Sequence, residues 1–163
     1  MYKRILLTHD GSELAEAATE HAATLAKATG APVLLLQVID SVAQILAQTA
    51  SLAAEPAAAG AIAANVAEEA VQAQQAAAQK NLDALKAALE RAGVAKVDTM
   101  IMEGSPGDAV VSCAEEHGCD LIVIATHGRS GIKRAILGSV ADHVVRHTRN
   151  AAVLLVRSKD HGG

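Results

Sequence analysis

The segment from Ala125 to Ser139 carries the residue types that hold a phosphate group in many proteins. Gly128 and Gly131 allow the main chain to approach an anion closely and to adopt positive φ. Gly138 and Ser139 precede a helical pattern, and the free N–H groups at a helix start favour negative charge. The Ser139 hydroxyl adds a further donor. The segment therefore predicts an anion-binding loop between a strand and a helix.

Three basic residues of this loop, Arg129, Lys133 and Arg134, lie within a window of six residues, although the chain has a net charge of -4. Their positive charge favours an anionic ligand. A plainer interpretation also fits, because glycines between a strand and a helix serve as turn residues and Ser139 can simply cap the helix. The loop matches neither GxGxxG nor GxxxxGK[ST], so the dinucleotide and P-loop interpretations are excluded.

Other polar residues follow predicted strands, and Asp10 is the most informative of them. Mg²⁺ commonly takes one carboxylate together with phosphate oxygens, which makes Asp10 a candidate ligand for a magnesium–nucleotide complex. The alternative is a turn residue that accepts a hydrogen bond from the Ser12 backbone. For His9, beside it, we expect a local hydrogen-bonding role.

A pair of histidines and a pair of cysteines are further candidates for metal binding and for nucleophilic chemistry. His143 and His147 are spaced i, i+4, but no Glu follows His143, so we expect a surface or core pair in preference to a metal site. Cys113 lies in a helical pattern and is expected to be buried, whereas Cys119 follows Gly118 in a turn and is expected to be more accessible. Neither thiol has a base next to it in the sequence.

Short apolar runs alternate with helical patterns along the whole chain. This alternation predicts right-handed βαβ crossovers and a parallel sheet covered by helices on both faces. Ser105 is expected to cap one helix, with Pro106 at its first position, and Ser139 to cap another that ends near Thr148. The predicted strands are residues 3–8, 32–39, 96–102, 121–125 and 152–156.

Residues 42–61 form an alanine-rich insert broken by Pro56 and Gly60, for which we expect a short helix followed by a mobile loop. Strong helix formers then predict a long helix over 62–91. We expect a single domain over residues 1–158 and a tail at 159–163.

Composition excludes several classes of protein. Phe and Trp are absent and there is one Tyr, so with the negative charge a nucleic-acid partner is not expected. The weakly apolar 42–67 segment does not predict a membrane span, and the N-terminal apolar run is too short for a signal peptide. The two cysteines indicate reduced thiols and a cytoplasmic protein.

The loop spacing resembles that of the universal stress proteins, whose nucleotide motif is G-x2-G-x9-G-[ST]. Gly128, nine further residues and then Gly138-Ser139 match the motif, with Ala125 in place of its first glycine. The resemblance extends to Asp10-Gly11-Ser12-Glu13 and Glu103-Gly104-Ser105-Pro106, and to AVLLVR near the end of the chain. It covers nearly the whole sequence. A methyl group at Ala125 is expected to narrow the site.

The resemblance implies a three-layer, Rossmann-like α/β fold of the adenine nucleotide alpha hydrolase type, with a parallel sheet of five strands in the order 3-2-1-4-5. Asp10 would lie by the ribose or a metal, Val38 would contact adenine through its backbone, and His127 would lie beside the phosphates. A homodimer through the strand at Ala152 to Val156 is also implied. The complete expected site comprises Thr8, Asp10, Val38, Ala125, His127, Gly128, Arg129, Gly138, Ser139 and Val140.

The function that these residues and the resemblance predict is binding of ATP or AMP in stress response or signalling, with Mg as a candidate companion ion. We find no positioned general base or arginine finger, so at most slow ATP hydrolysis is expected. An adenylyl- or phosphoryl-transfer enzyme is an alternative, although THDGSE stands where adenylating relatives carry an SGGxDS-type loop. A dimeric interaction protein without nucleotide is the second alternative.

Overall fold

The computed structural model describes residues 1–12, 14–50, 60–126 and 138–157. Strands and helices alternate along these residues. The strands are β1 (Ile5–Thr8), β2 (Val33–Ile39), β3 (Val97–Glu103), β4 (Leu121–Thr126) and β5 (Ala152–Arg157). The helices are α1 (Leu14–Thr29), α2 (Val42–Ala50), α3 (Gly60–Arg91), α4 (Pro106–Glu116) and α5 (Ser139–His147).

The strands form a parallel sheet in the order β3-β2-β1-β4-β5, as predicted. Buried apolar side chains alternate between its two faces. Ile5 and Leu7 pack with alanines of α1 and leucines of α3, whereas Leu6 packs with α4 and α5. Because successive residues of a strand point to opposite faces, one short strand supplies both cores. The result is the expected three-layer arrangement.

The amino end of β1 is held by the side chain of Asp120. The backbone N–H groups of Lys3 and Arg4 donate to its carboxylate over 2.9–3.1 Å. Burial opposes ionisation of this carboxyl, but these backbone hydrogen bonds outweigh it and lower the pKa of Asp120. Since Lys3 and Arg4 bind a side chain here, β1 begins at Ile5 and not at residue 3 as predicted. The Arg4 guanidinium also pairs with Asp98 at 2.9 Å.

Two helix starts differ from the sequence predictions. The N-cap of α5 is Gly138, whose carbonyl accepts the Asp142 N–H at 2.8 Å, and Ser139 is the first helical residue. The prediction that Ser139 caps this helix is therefore wrong. Ser105 is the N-cap of α4, as predicted, but its side chain makes no capping hydrogen bond. Both caps have extended backbone dihedrals, which is sufficient to begin a helix.

The alanine-rich insert is described in part. Its first residues form α2, which confirms the expected short helix. The predicted mobile loop falls on residues 51–59, which lie outside the described residues. The predicted helix breaker Gly60 is the first residue of α3, so this helix begins two positions earlier than expected. The helix is 32 residues long, and leucines near its end pack on the sheet.

Candidate functional site

A crevice opens where the carboxyl ends of β1 and β4 separate. The register between these strands runs from Ile5 opposite Leu121 to Leu7 opposite Val123, whereas β1 and β2 stay paired as far as Thr8. The chain order reverses at β1, because β2 and β3 lie on one side of it and β4 and β5 on the other. In open parallel sheets, ligands bind at this kind of position.

The crevice holds a cavity of about 320 Å³, and seven of the predicted site residues line it. This volume lies within the range of small-molecule binding pockets. Three other predicted residues, His127, Gly128 and Arg129, lie outside the described residues. The seven lining residues come from four separate segments of the chain and are Thr8, Asp10, Val38, Ala125, Gly138, Ser139 and Val140.

The apolar walls of the cavity were missed by the sequence analysis. They include Leu36 on β2, Val110 on α4 and Ile124 on β4. Leu36 and Val38 are two residues apart and therefore share a face, which is a signal that could have identified this wall. An apolar enclosure that opens on a few polar groups suits a flat ring with a charged tail.

The polar end of the cavity is the amino end of α5. Gly138 has φ of -61° and ψ of 150°, an extended conformation that any residue can adopt. The amides of Ser139, Val140 and Ala141 lie in the first turn, where N–H groups have no acceptor within the helix. These amides and the helix dipole favour a negatively charged group at this end of the cavity.

The turn after β1 forms the opposite border of the crevice. The Gly11 N–H donates to Nδ1 of His9 at 2.9 Å, which confirms the local hydrogen-bonding role expected for this histidine. The His9 side chain is buried, with 6% of the residue exposed. Burial lowers the pKa of His9, although the nearby Asp10 and Glu16 carboxylates act in the opposite direction. Burial therefore disfavours the charged imidazolium form of His9.

Asp10 closes the same turn. Its Oδ1 accepts the Ser12 N–H at 3.0 Å, which is the turn contact considered from the sequence. The residue is also exposed at the cavity, so its carboxylate can hold the turn and face a bound ligand at the same time. Among the described residues, no group of three His, Cys, Asp or Glu side chains could hold a metal ion. One carboxylate beside phosphate oxygens is nevertheless a usual arrangement for Mg²⁺.

Ala125 is the residue that departs from the expected glycine motif. It lines the cavity, and its methyl group packs against the core formed with α1 and α3. The helices α4 and α5, which enclose the cavity, pack on the opposite face of the sheet. Alternation along β4 thus directs the extra carbon away from the side of the sheet that carries these helices.

Comparison with known proteins gives the family. The profile of the universal stress protein family matches residues 1–157. The chain belongs to the universal stress protein family. Universal stress protein MJ0577 of Methanocaldococcus jannaschii is 32% identical over 160 residues, covering 98% of each chain. Its solved structure has a TM-score of 0.75 at 30% identity, with 98% of this chain and 99% of that one covered.

Two more distant solved structures share the fold. A universal stress protein in complex with cAMP has a TM-score of 0.67 at 23% identity, covering 97% of this chain and 98% of the other. The universal stress protein from Archaeoglobus fulgidus in complex with dAMP has a TM-score of 0.62 at 20% identity, covering 94% and 97%. The predicted strand order is therefore that of solved universal stress proteins.

The histidine pair of this universal stress protein is stacked on α5. The rings of His143 and His147 lie 4.0 Å apart and nearly parallel, at 20°. His143 Nε2 lies 2.9 Å from an Asp108 carboxylate oxygen, and His147 Nδ1 lies 2.8 Å from the His143 carbonyl oxygen. The structure thus shows the two histidines as a stacked pair on one helix, with a separate polar contact for each ring.

Both cysteines are buried on the α4 and α5 face. Burial raises the pKa of Cys113 to about 11 and also raises the pKa of Cys119. The expectation of a more accessible Cys119 is wrong, because only 4% of the residue is exposed where the turn packs into the core. A protonated, buried thiol is a poor nucleophile.

Within the described ranges, no helix is both long enough and apolar enough to span a bilayer.

Proposed function

We propose that this universal stress protein binds an adenine nucleotide, ATP or AMP, in the crevice between β1 and β4. The observation that carries the proposal is that seven predicted residues from four segments line one cavity of about 320 Å³ at the amino end of α5. An apolar compartment for a base and a helix start for an anion occur together there.

Each end of the nucleotide has its own residues in this proposal. Adenine lies against the Val38 backbone and the apolar wall, and the ribose lies near Asp10. The phosphates lie on the amides at Gly138, Ser139 and Val140. Thr8 and Ala125 complete the border of the crevice, and His127, Gly128 and Arg129 are proposed to contribute to phosphate binding.

Two observations support an adenine nucleotide in particular. Two solved universal stress proteins with this fold are in complex with cAMP and with dAMP, which supports an adenine nucleotide as the ligand. The Ala125 methyl packs towards α1 and α3, and the cavity keeps a volume of about 320 Å³ with alanine in place of the first glycine of the motif.

The wider function is proposed from the family together with this site. We infer a cytoplasmic protein of stress response or signalling whose nucleotide carries Mg²⁺ beside Asp10 and is hydrolysed slowly at most. Paired copies would meet through the edge strand β5. Rapid turnover of ATP with a defined acceptor would favour a transferase instead, and retained function without nucleotide binding would favour a pure interaction protein.

The test is a substitution that fills the cavity without disturbing the backbone. Gly138→Val suits this purpose because the dihedrals of Gly138 are allowed for valine. We expect calorimetric titration to show ATP and AMP binding weakened by at least about tenfold, the loss of roughly one good polar contact. The melting temperature should stay near that of the unaltered protein.

Thr148→Val is the matched control. Thr148 is the C-cap residue at the far end of the same helix, and valine has nearly the same shape as threonine. Its nucleotide affinity should equal that of the unaltered protein. Absence of ATP and AMP binding by the unaltered protein at millimolar ligand would overturn the proposed function.

A further inference from the structure

We propose that His9, supported by Asn81 of α3, is a positioning residue that holds the turn at 9–12 in the shape in which Asp10 meets the ligand. The inference rests on the proposed function, since the ligand is the adenine nucleotide. His9 also borders the cavity, but its Nδ1 is engaged by the turn, and in this proposal its contribution to binding acts through Asp10.

The placement of His9 follows from the alternation along β1. Ile5 and Leu7 face the core formed with α1 and α3, and His9 continues that series. Its ring accordingly meets Asn81 of α3, whose Nδ2 lies 3.3 Å from His9 Nδ1. The enclosing helices of the cavity, α4 and α5, pack on the other face. The contact with Asn81 therefore holds the imidazole on the side of the sheet that carries α3, although His9 also borders the cavity.

A short chain of hydrogen bonds connects three elements at this point. Asn81 Nδ2 donates to Gln37 Oε1 of β2 at 2.7 Å. The Gly11 N–H donates to His9 Nδ1 at 2.9 Å. A backbone amide can only donate, so Nδ1 must be the unprotonated nitrogen and the ring proton must lie on Nε2. The main chain thus selects one neutral tautomer of His9.

This contact fixes the backbone of the turn. Gly11 has φ of +81°, a left-handed conformation that the His9 acceptor stabilises through the Gly11 amide. The next amide, that of Ser12, is held by Asp10 Oδ1. Two successive amides therefore bond to two successive side chains, and the conformation of Asp10 depends on the residue before it. His9 and its two neighbours in sequence, Thr8 and Asp10, all line the cavity.

The second ring nitrogen of His9, Nε2, is in an unfavourable environment, which indicates that the hydrogen bond at Nδ1 is the reason for a histidine here. His9 Nε2 is enclosed and has no hydrogen-bond partner in the part of the chain that the structure describes. A buried donor without a partner is unfavourable, so an apolar residue of similar size would satisfy packing alone better. Histidine at this position is explained by the acceptor that it offers to Gly11.

Two substitutions separate the acceptor from the bulk of the ring. His9→Asn keeps an acceptor oxygen close to the position of Nδ1, and His9→Leu keeps apolar volume without an acceptor. We expect His9→Leu to weaken AMP binding about tenfold and His9→Asn to remain within about threefold, as for one lost and one retained hydrogen bond. Calorimetric titration with AMP and a thermal melt of each variant give the comparison.

The outcomes distinguish this inference from the proposed function. If the unaltered protein binds AMP and His9→Leu binds it equally well, the positioning role is wrong. It is also wrong if His9→Asn loses as much affinity as His9→Leu, because packing alone would then explain both. An unaltered protein that binds no adenine nucleotide removes the proposed function itself.

A spectroscopic measurement on the unaltered protein tests the geometry without relying on the folding of a variant. Long-range ¹H–¹⁵N correlations of His9 at neutral pH should show an unprotonated Nδ1 and a protonated Nε2. A protonated Nδ1 would contradict the hydrogen bond from Gly11 and with it the inference.

Discussion

The two ends of β1 use the same structural device with different chemistry. At the amino end, the charged Asp120 carboxylate accepts the N–H groups of Lys3 and Arg4. At the carboxyl end, the neutral His9 imidazole accepts the N–H of Gly11. In both places a side chain holds main-chain amides that the sheet leaves without a strand partner.

The difference between these ends separates stability from function. Hydrogen bonds to a charged acceptor are roughly twice as strong as those between neutral groups. The carboxylate end lies away from the crevice, whereas His9 and the residues on either side of it line the cavity. We therefore expect the amino end of β1 to contribute mainly to the free energy of unfolding and the carboxyl end mainly to ligand affinity.

The largest effect on stability is expected from Asp120→Ala. This change leaves the Lys3 and Arg4 amides without their acceptor, so the free energy of unfolding should fall by about 1–2 kcal/mol, allowing for partial exposure to solvent. Urea denaturation measures it. Asp120→Asn, which keeps a neutral acceptor, should lose about half as much. A loss of nucleotide affinity in the folded variant would break the proposed division between the two ends.

The pH dependence of the amino end gives a second, smaller signal. The folded protein lowers the pKa of Asp120, so its contribution is complete above the pKa of the unfolded chain, about 4. It is lost as the pH falls through the lower, folded value. The stability difference between the unaltered protein and Asp120→Asn should therefore be constant above about pH 5 and should shrink below pH 4. A difference that grows on acidification would contradict the assignment.

The smallest effect is expected at the ion pair beside this contact. Asp98 is 37% exposed where it meets Arg4, and exposed pairs contribute little. Asp98→Asn should lower the free energy of unfolding by less than about 0.5 kcal/mol in the same urea assay. A larger loss would show that the ion pair, and not the main-chain contact of Asp120, holds the start of β1.

The sequence was sufficient for most of the fold and for the location of the candidate crevice. Strands and helices followed from apolar runs and periodicity, and the crevice followed from the rule that ligands meet strand ends at a reversal of order. The strand order itself came from the resemblance to the universal stress proteins. The spacing of the glycine motif brought Ala125 and Gly138 to the same cavity, as expected.

The contacts behind the site could not be predicted in the same way. Asn81 lies 72 residues from His9 and 44 from Gln37, and no local pattern marks a pair that only the packing of α3 brings together. The burial of Cys119 was missed for a similar reason, since a residue after a glycine turn reads as exposed until the turn folds into the core. The prediction placed the N-cap of α5 at Ser139 because serine is a common N-cap residue. In the structure the helix begins one residue earlier, with Gly138 as its N-cap.

The burial of both sulfur atoms has a consequence for the reactivity of this protein towards oxidants. Peroxides react with thiolates that they can reach, and Cys113 and Cys119 are enclosed and held in the protonated form. Sulfenic acid formation at either position therefore requires the layer of α4 and α5 to open first. In the folded state we therefore expect neither thiol to react with peroxide.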